Sequence, residues 1–243
     1  MNSRFFIRIF APLLLFAGFA LCSCDDGRIY EHTATSASGK VVKLTGTLLG
    51  LDQWPAAYRV SIAGFTDDGD EYATIEKSIG ADNAGDGRVS IVLSGIKDDV
   101  RLVRLCVLDR LRRHIVTFSQ TDISSATDTV RMDVGKVNVA MFNAIQQNIL
   151  NTTCANCHGA ANQAAASLYL TEGRSYEALV GKPSKRVEGK MLVEPGNAAA
   201  SVLHQVLNTN LSESWHYNHA SEVTSADMLQ LIDNWINNLK VEN

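Results

Sequence analysis

The sequence predicts two domains, an N-terminal all-β sandwich followed by a C-terminal all-α domain. Three observations lead there. Apolar residues alternate with a period of two from about Lys40 to Val134. Clusters of turn-forming residues separate the alternating runs. After Val137 the apolar residues recur at helical spacing instead.

The alternation is explicit in VKLTGTL (Val42, Leu44, Leu48), YRVSI (Val60, Ile62), RVSIVL (Val89, Ile91, Leu93) and TVRMDV (Val130, Met132, Val134). Each run turns one face to a core and the other to water, as half-buried antiparallel strands do. GLDQWP, TDDGDE, ADNAGDG and SGIKDD are the intervening turns. Strands are expected near 41–49, 58–65, 72–79, 88–94, 100–109, 113–119 and 128–134, with Arg112-Arg113 in a hairpin turn. That number and length of strands fits an immunoglobulin-like sandwich. The acidic turns lack a full calcium-ligand spacing, and no catalytic constellation stands out, so this part reads as a spacer or an interaction module.

Val139, Phe142, Ile145 and Ile149 place an amphipathic helix over 138–151. A loop-rich stretch with a short helix near Ser175–Val180 follows. Met228, Leu231, Ile232, Trp235, Ile236 and Leu239 then form one face of a final helix, with Thr224 or Ser225 as its cap and Asp227 in the first turn. The organisation expected is a leader at 1–23, a β-sandwich domain at 24–136 and an all-α domain at 137–243.

The leader carries Arg4 and Arg8 before an apolar run, Ile9 to Leu21, of about 13 residues. A bilayer span needs about 20, so a secretory signal peptide is expected. Leu21-Cys22-Ser23-Cys24 resembles a bacterial lipobox. Ser23 is the small residue such signals place before the lipidated cysteine, which makes Cys24 the anchor, and Asp25-Asp26 resembles the export signal of some surface lipoproteins. A lipid-anchored protein of the bacterial cell envelope is expected, on the outer membrane and facing either the periplasm or the surface. Without Arg4 and Arg8 the formal charge of −4 becomes −6, which excludes the basic footprint that nucleic-acid binding requires.

The remaining cysteines are Cys106, Cys154 and Cys157. Cys106 lies within RLVRLCVLD and reads as a small buried hydrophobe. Cys154 and Cys157 belong to Cys154-Ala155-Asn156-Cys157-His158, the c-type haem attachment pattern. Cysteines three apart on a helical turn project the same way and reach the two vinyl groups of a haem. His158, four residues after Cys154, lies over the same face and reaches the iron. A thioredoxin-like pair would need a βαβ setting, and zinc would need four ligands with His158 an awkward third; a plain disulfide is the remaining alternative.

Residues 142–239 resemble a monohaem cytochrome c domain of the kind found in bacterial lipoproteins and at the ends of larger planctomycete and Bacteroidetes proteins. The resemblance runs in order through an apolar helix before CANCHG, SLYLTEGRSYEALVGKPS, LVEPGNAAASVLHQVL and LIDNWINNL. It covers about 100 residues and nothing of the β part. It implies a cytochrome c-like fold with one covalent haem, Trp215 and Trp235 packed against the porphyrin, and Pro195 presenting its carbonyl to His158.

The family usually carries Met-Pro before the last helix, the methionine being the second iron ligand. Here that segment reads LSESWHYNHASEV. His219 is therefore the preferred distal ligand, with His216 and then Met191 as alternatives, while His204, His32 and His114 are not expected to ligate. Two strong axial ligands imply an electron carrier rather than an enzyme, exchanging electrons with redox protein partners at the membrane. The alternatives are a binding or sensory lipoprotein whose β-sandwich contacts a partner or glycan, and a small haem peroxidase with an open iron position.

Overall fold

Seven strands lie among the described residues, close to where the alternation placed them: β1 (Lys40–Leu49), β2 (Tyr58–Phe65), β3 (Ile75–Ser78), β4 (Arg88–Ile96), β5 (Leu102–Asp109), β6 (His114–Asp122) and β7 (Val130–Asn138). The computed structural model describes residues 39–80, 86–159 and 163–240. The expected signal peptide at 1–23, the anchor Cys24 and His32 lie outside the described residues. Among those described, no helix is long and apolar enough to cross a membrane.

The strands form two sheets, ordered β4-β1-β7 and β3-β2-β5-β6. β1 pairs antiparallel with β4 and parallel with β7, from Val42 opposite Val130 to Leu49 opposite Asn138. Val42, Leu44 and Leu48 of β1 point into the core, as do Val89, Leu93 and Ile96 of β4. The central strands β2 and β5 are buried on both faces. Val60, Ile62, Val103, Leu105 and Val107 belong to the main core. Ala63, Phe65, Cys106 and Leu108 form a second, smaller cluster with Ala73.

After β7 come the helical segments. They are α1 (Met141–Ile145), a π-helical stretch Gln146–Cys154, α2 (Ala155–His158), α3 (Ser175–Leu179), α4 (Val202–Asn208), α5 (Ser212–Trp215) and α6 (Ala226–Asn238). Between them lie 3₁₀ turns and two isolated bridges, Val180 with Val193 and Pro183 with Met191.

This corrects the expected fold class. The described residues form a mixed α/β fold, about 30% helix and about 32% strand, with no all-α C-terminal domain among them. The expectation of an all-β immunoglobulin-like sandwich beside an all-α cytochrome c-like domain fails for a physical reason. The apolar faces of the helical segments, Ile145 and Ile149 on the first and Ile232 and Ile236 on the last, pack into the core of the sheets and do not close a separate core of their own. They share the core of the sheets: one hydrophobic cluster runs from Val42, Leu44 and Leu105 through Val139 and Ile145 to Ile232 and Ile236.

Polar contacts fix that shared core. Trp54 Nε1 donates to the Val139 carbonyl at 2.6 Å. Asn234 Nδ2 donates to the Tyr58 hydroxyl at 2.9 Å. Arg113 pairs with Asp227 at 2.7 Å. Gly50, at φ 79°, lies against Ala140, and a β-carbon there would come within 2.5 Å of the Ala140 side chain. Residues from Gly39 onward accordingly form one compact unit.

Candidate functional site

α1, the π-helical stretch and α2 run on from Met141 to His158. This continuous helix is longer than the 138–151 segment expected, and its middle is wound wide. π-helical windings concentrate at functional sites. Its inner side buries Met141, Ala144, Ile145, Ile149 and Leu150 together with one polar residue, Gln146. Gln146 Nε2 donates to the Leu170 carbonyl at 3.1 Å and to Asn151 Oδ1 at 2.7 Å. Its Oε1 accepts from the Ser175 hydroxyl. The helix is thereby tied to the segment that forms the opposite wall of the site.

The helix ends by delivering Cys154, Cys157 and His158 to the lining of a cavity of about 660 Å³. That volume lies within the range of cofactor sites, roughly 300–1,000 Å³. Gly159 closes the turn tightly, since a β-carbon there would overlap the Ala155 carbonyl oxygen. Leu168, Leu179, Leu192, Val202 and Val206 make much of the wall apolar.

His158 Nδ1 lies 3.0 Å from the Ala165 carbonyl. A carbonyl only accepts, so Nδ1 carries the proton and Nε2 keeps its lone pair. The Ala165 carbonyl is presented by a turn in which Ala166 and Ser167 take φ of 53° and 55°. Left-handed backbone at two non-glycine residues is strained, and such strain gathers at ligand sites.

The 3₁₀ turn His219–Ser221 brings a second histidine to the same lining, with Asn218 as its side-chain cap. The His158 and His219 ring centres are 6.4 Å apart and their planes are inclined by 28°. A metal–imidazole bond is about 2 Å long and the ring centre lies roughly 1 Å behind its nitrogen, so two imidazoles on opposite sides of one metal put their centres about 6 Å apart. His219 packs against Trp215 and Tyr217. Its Nδ1 is buried with no hydrogen-bond partner among the described residues, a costly state for a polar atom with no ligand to meet it. Burial, aided by the His158 ring and opposed by Glu222, holds His219 below the ordinary histidine range.

The cysteines do not resemble a thioredoxin-like pair. Burial, with a smaller push from the Glu222 carboxylate, raises the Cys154 thiol to about 11, whereas redox-active cysteines have depressed values. Among the described residues no three His, Cys, Asp or Glu side chains converge on a metal position. Two imidazoles at that separation beside an apolar slot suit a metal that arrives with its own macrocycle.

Several expected residues lie elsewhere. His216 is exposed, at φ 58° where α5 ends, and does not line the cavity. Met191 is also outside the lining; it bridges Pro183, and its carbonyl accepts from Val202 N. Trp235 is buried but stacks on Phe142, with ring centres 4.9 Å apart, so it packs the core and not the cavity; Trp215 does line it. Pro195 is not beside His158, where the Ala165 carbonyl stands in its expected place. His204 is paired with Asp233 at 2.8 Å. Ala165 itself carries no sequence signal, because any residue can offer a carbonyl. Gln146 is legible in hindsight as a polar residue on an apolar helix face.

No protein-family model matches the chain, and neither a curated protein nor a solved structure matches it.

Proposed function

We propose that this protein is a lipid-anchored c-type cytochrome of the bacterial cell envelope, holding one covalent haem between His158 and His219 and carrying electrons. The observation that carries this reading is the pair of imidazoles 6.4 Å apart across a cavity edged by both cysteines of the CANCH motif. Bound haem supplies an iron that gains and loses one electron.

The chain supplies the rest. Cys154 and Cys157 provide the two thiols for attachment. His158 is oriented by Ala165, so its Nε2 lone pair is free for the proximal side. His219 is held by the Asn218 cap and the rings of Trp215 and Tyr217. The apolar walls exclude water from the slot. His158 and His219 would both hold the iron and leave oxygen and peroxide no vacant site, which favours electron transfer over peroxidase chemistry. Two histidines also set a lower potential than the histidine–methionine pair. A signal peptide at 1–23 and a lipidated Cys24 would put the protein at a membrane, where redox partners meet it by lateral search.

The test is the optical spectrum and extraction behaviour of protein matured with a c-type haem assembly system. The reading expects a low-spin spectrum unchanged by carbon monoxide and a haem that survives acid-acetone extraction. Freely extracted haem refutes covalent attachment; a high-spin, ligand-binding haem refutes the two-histidine carrier.

A further inference from the structure

One side of the cavity is edged by cations. Lys182, Lys185 and Arg186 all line it, in a chain of formal charge −4. They sit on a single turn of fixed shape. Val180–Val193 and Pro183–Met191 bridges close its base. Leu192 N donates to the Lys182 carbonyl at 2.7 Å, and Ser184 N to the Lys190 carbonyl at 2.8 Å. The Ser184 hydroxyl accepts from Arg186 N at 3.2 Å and from Val187 N at 3.1 Å.

Among the described residues none of these three cations forms an ion pair. All three are exposed, and they border the apolar slot from a tied-down turn. Of the two acids that share the lining, Glu222 already accepts the Tyr217 hydroxyl at 2.5 Å.

We propose that Lys182, Lys185 and Arg186 form the subsite for the two carboxylates of the haem; this rests on the haem reading above. A haem carries its carboxylates on the edge away from the vinyl groups, so a ring attached at Cys154 and Cys157 must set two negative charges elsewhere on the cavity margin. A carboxylate drawn from water against apolar walls is costly unless a cation meets it. Charge-assisted bonds to lysine and a forked bond to arginine offset that cost. The turn is already ordered, so little side-chain and loop freedom is lost when the carboxylates arrive. The cations line the cavity itself, which favours a bound carboxylate over an acidic protein docked outside.

The first experiment uses the full chain with Cys154→Ala and Cys157→Ala, so that haem binds reversibly. It is titrated with haem and with haem dimethyl ester, each with the native turn and with Lys182→Gln, Lys185→Gln and Arg186→Gln together. With the native turn the free acid binds about tenfold or more tightly than the ester, and with the altered turn that advantage disappears. An equal preference in both overturns the subsite while leaving haem binding intact. No two-histidine spectrum with either probe, in any variant, overturns the haem reading and the subsite with it. Should the triple variant fold poorly, Lys185→Gln alone is expected to remove part of the advantage. On the covalently loaded protein, removing the three cations should move the pH-dependent part of the reduction potential to higher pH, because a carboxylate without its cation holds its proton longer. An unmoved profile, with only a slower and salt-sensitive exchange with an acidic redox protein, assigns the turn to docking and overturns the proposal.

Discussion

Two regions of this molecule bury titratable side chains, and they treat them in opposite ways. On the second face of the β3-β2-β5-β6 sheet, Arg104 is only 3% exposed. It reaches Asp68 at 2.6 Å, contacts Gln120, and lies over the Phe65 ring. His114 beside it hydrogen-bonds Thr117 at 2.7 Å, and burial pushes the neighbouring Cys106 thiol up to about 12. The polar side chains there are completed within the fold. At the cavity the reverse holds. Among the described residues, His219 has a buried nitrogen with no partner and three cations form no ion pair, and two non-glycine residues sit in left-handed backbone beside the carbonyl that meets His158. The difference separates a structural cluster from a site: the first closes its own interactions, and the second leaves them for something else.

Four experiments break or sharpen that contrast, from the largest effect to the smallest. Cys154→Ala with Cys157→Ala should release all the haem on acid-acetone extraction, whereas Cys106→Ala should release none. Retention by the double variant would dismiss the attachment assignment.

Next in size, His219→Ala should open the distal side, turning a low-spin spectrum high-spin and letting carbon monoxide bind. His216→Ala should leave the spectrum as it is, because His216 lies outside the cavity lining. Equal spectra for the two variants would dissolve the distinction between them.

The sheet cluster should answer to pH instead. Burial, aided by the Arg104 guanidinium, draws His114 down to about 4, against an ordinary value of 6.5. Between those values the unfolded chain binds a proton that the folded chain refuses. Stability from this group is therefore full above pH 6.5 and falls as pH drops toward 4, by on the order of 2 kcal/mol after discounting for the partly exposed ring. Urea titrations at several pH values should show that limb, and His114→Gln should flatten it. A limb unchanged by the substitution would belong to other groups.

The smallest effect is expected at Asp68→Ala. It removes the carboxylate facing Arg104 and should cost about 1 kcal/mol, since the Asp68 carbonyl and Gln120 still serve the guanidinium. The haem spectrum should not change. A spectral change would mean that the two regions are coupled.

Much of the local structure was legible from the residues. Period-two alternation located all seven strands among those described, and the final helix begins where Ser225 accepts from Met228 N. The CANCH motif sits on a helical turn with its two thiols and its imidazole on one cavity. The fold class was not legible. Val139, Ile145 and Ile149 announce an apolar face, but a face does not name its partner, and here the partner is the sheet core and not a second helix layer. Trp235 shows the same limit. Its burial was predictable, but its partner is the Phe142 ring, and it does not line the cavity.

The sequence by itself therefore determined what is written in local order: strand and helix faces, the Cys-x-x-Cys-His spacing and the net charge. Tertiary structure alone decided that sheets and helices share one core, that His219 and not His216 faces His158, that Ala165 orients the proximal imidazole, and that Lys182, Lys185 and Arg186 edge the slot. The reason is that periodicity and spacing act through the nearest few residues, whereas these choices depend on contacts between distant parts of the chain. His216 and His219 differ by three positions, and the left-handed turn at one and the 3₁₀ turn at the other send them to different surroundings.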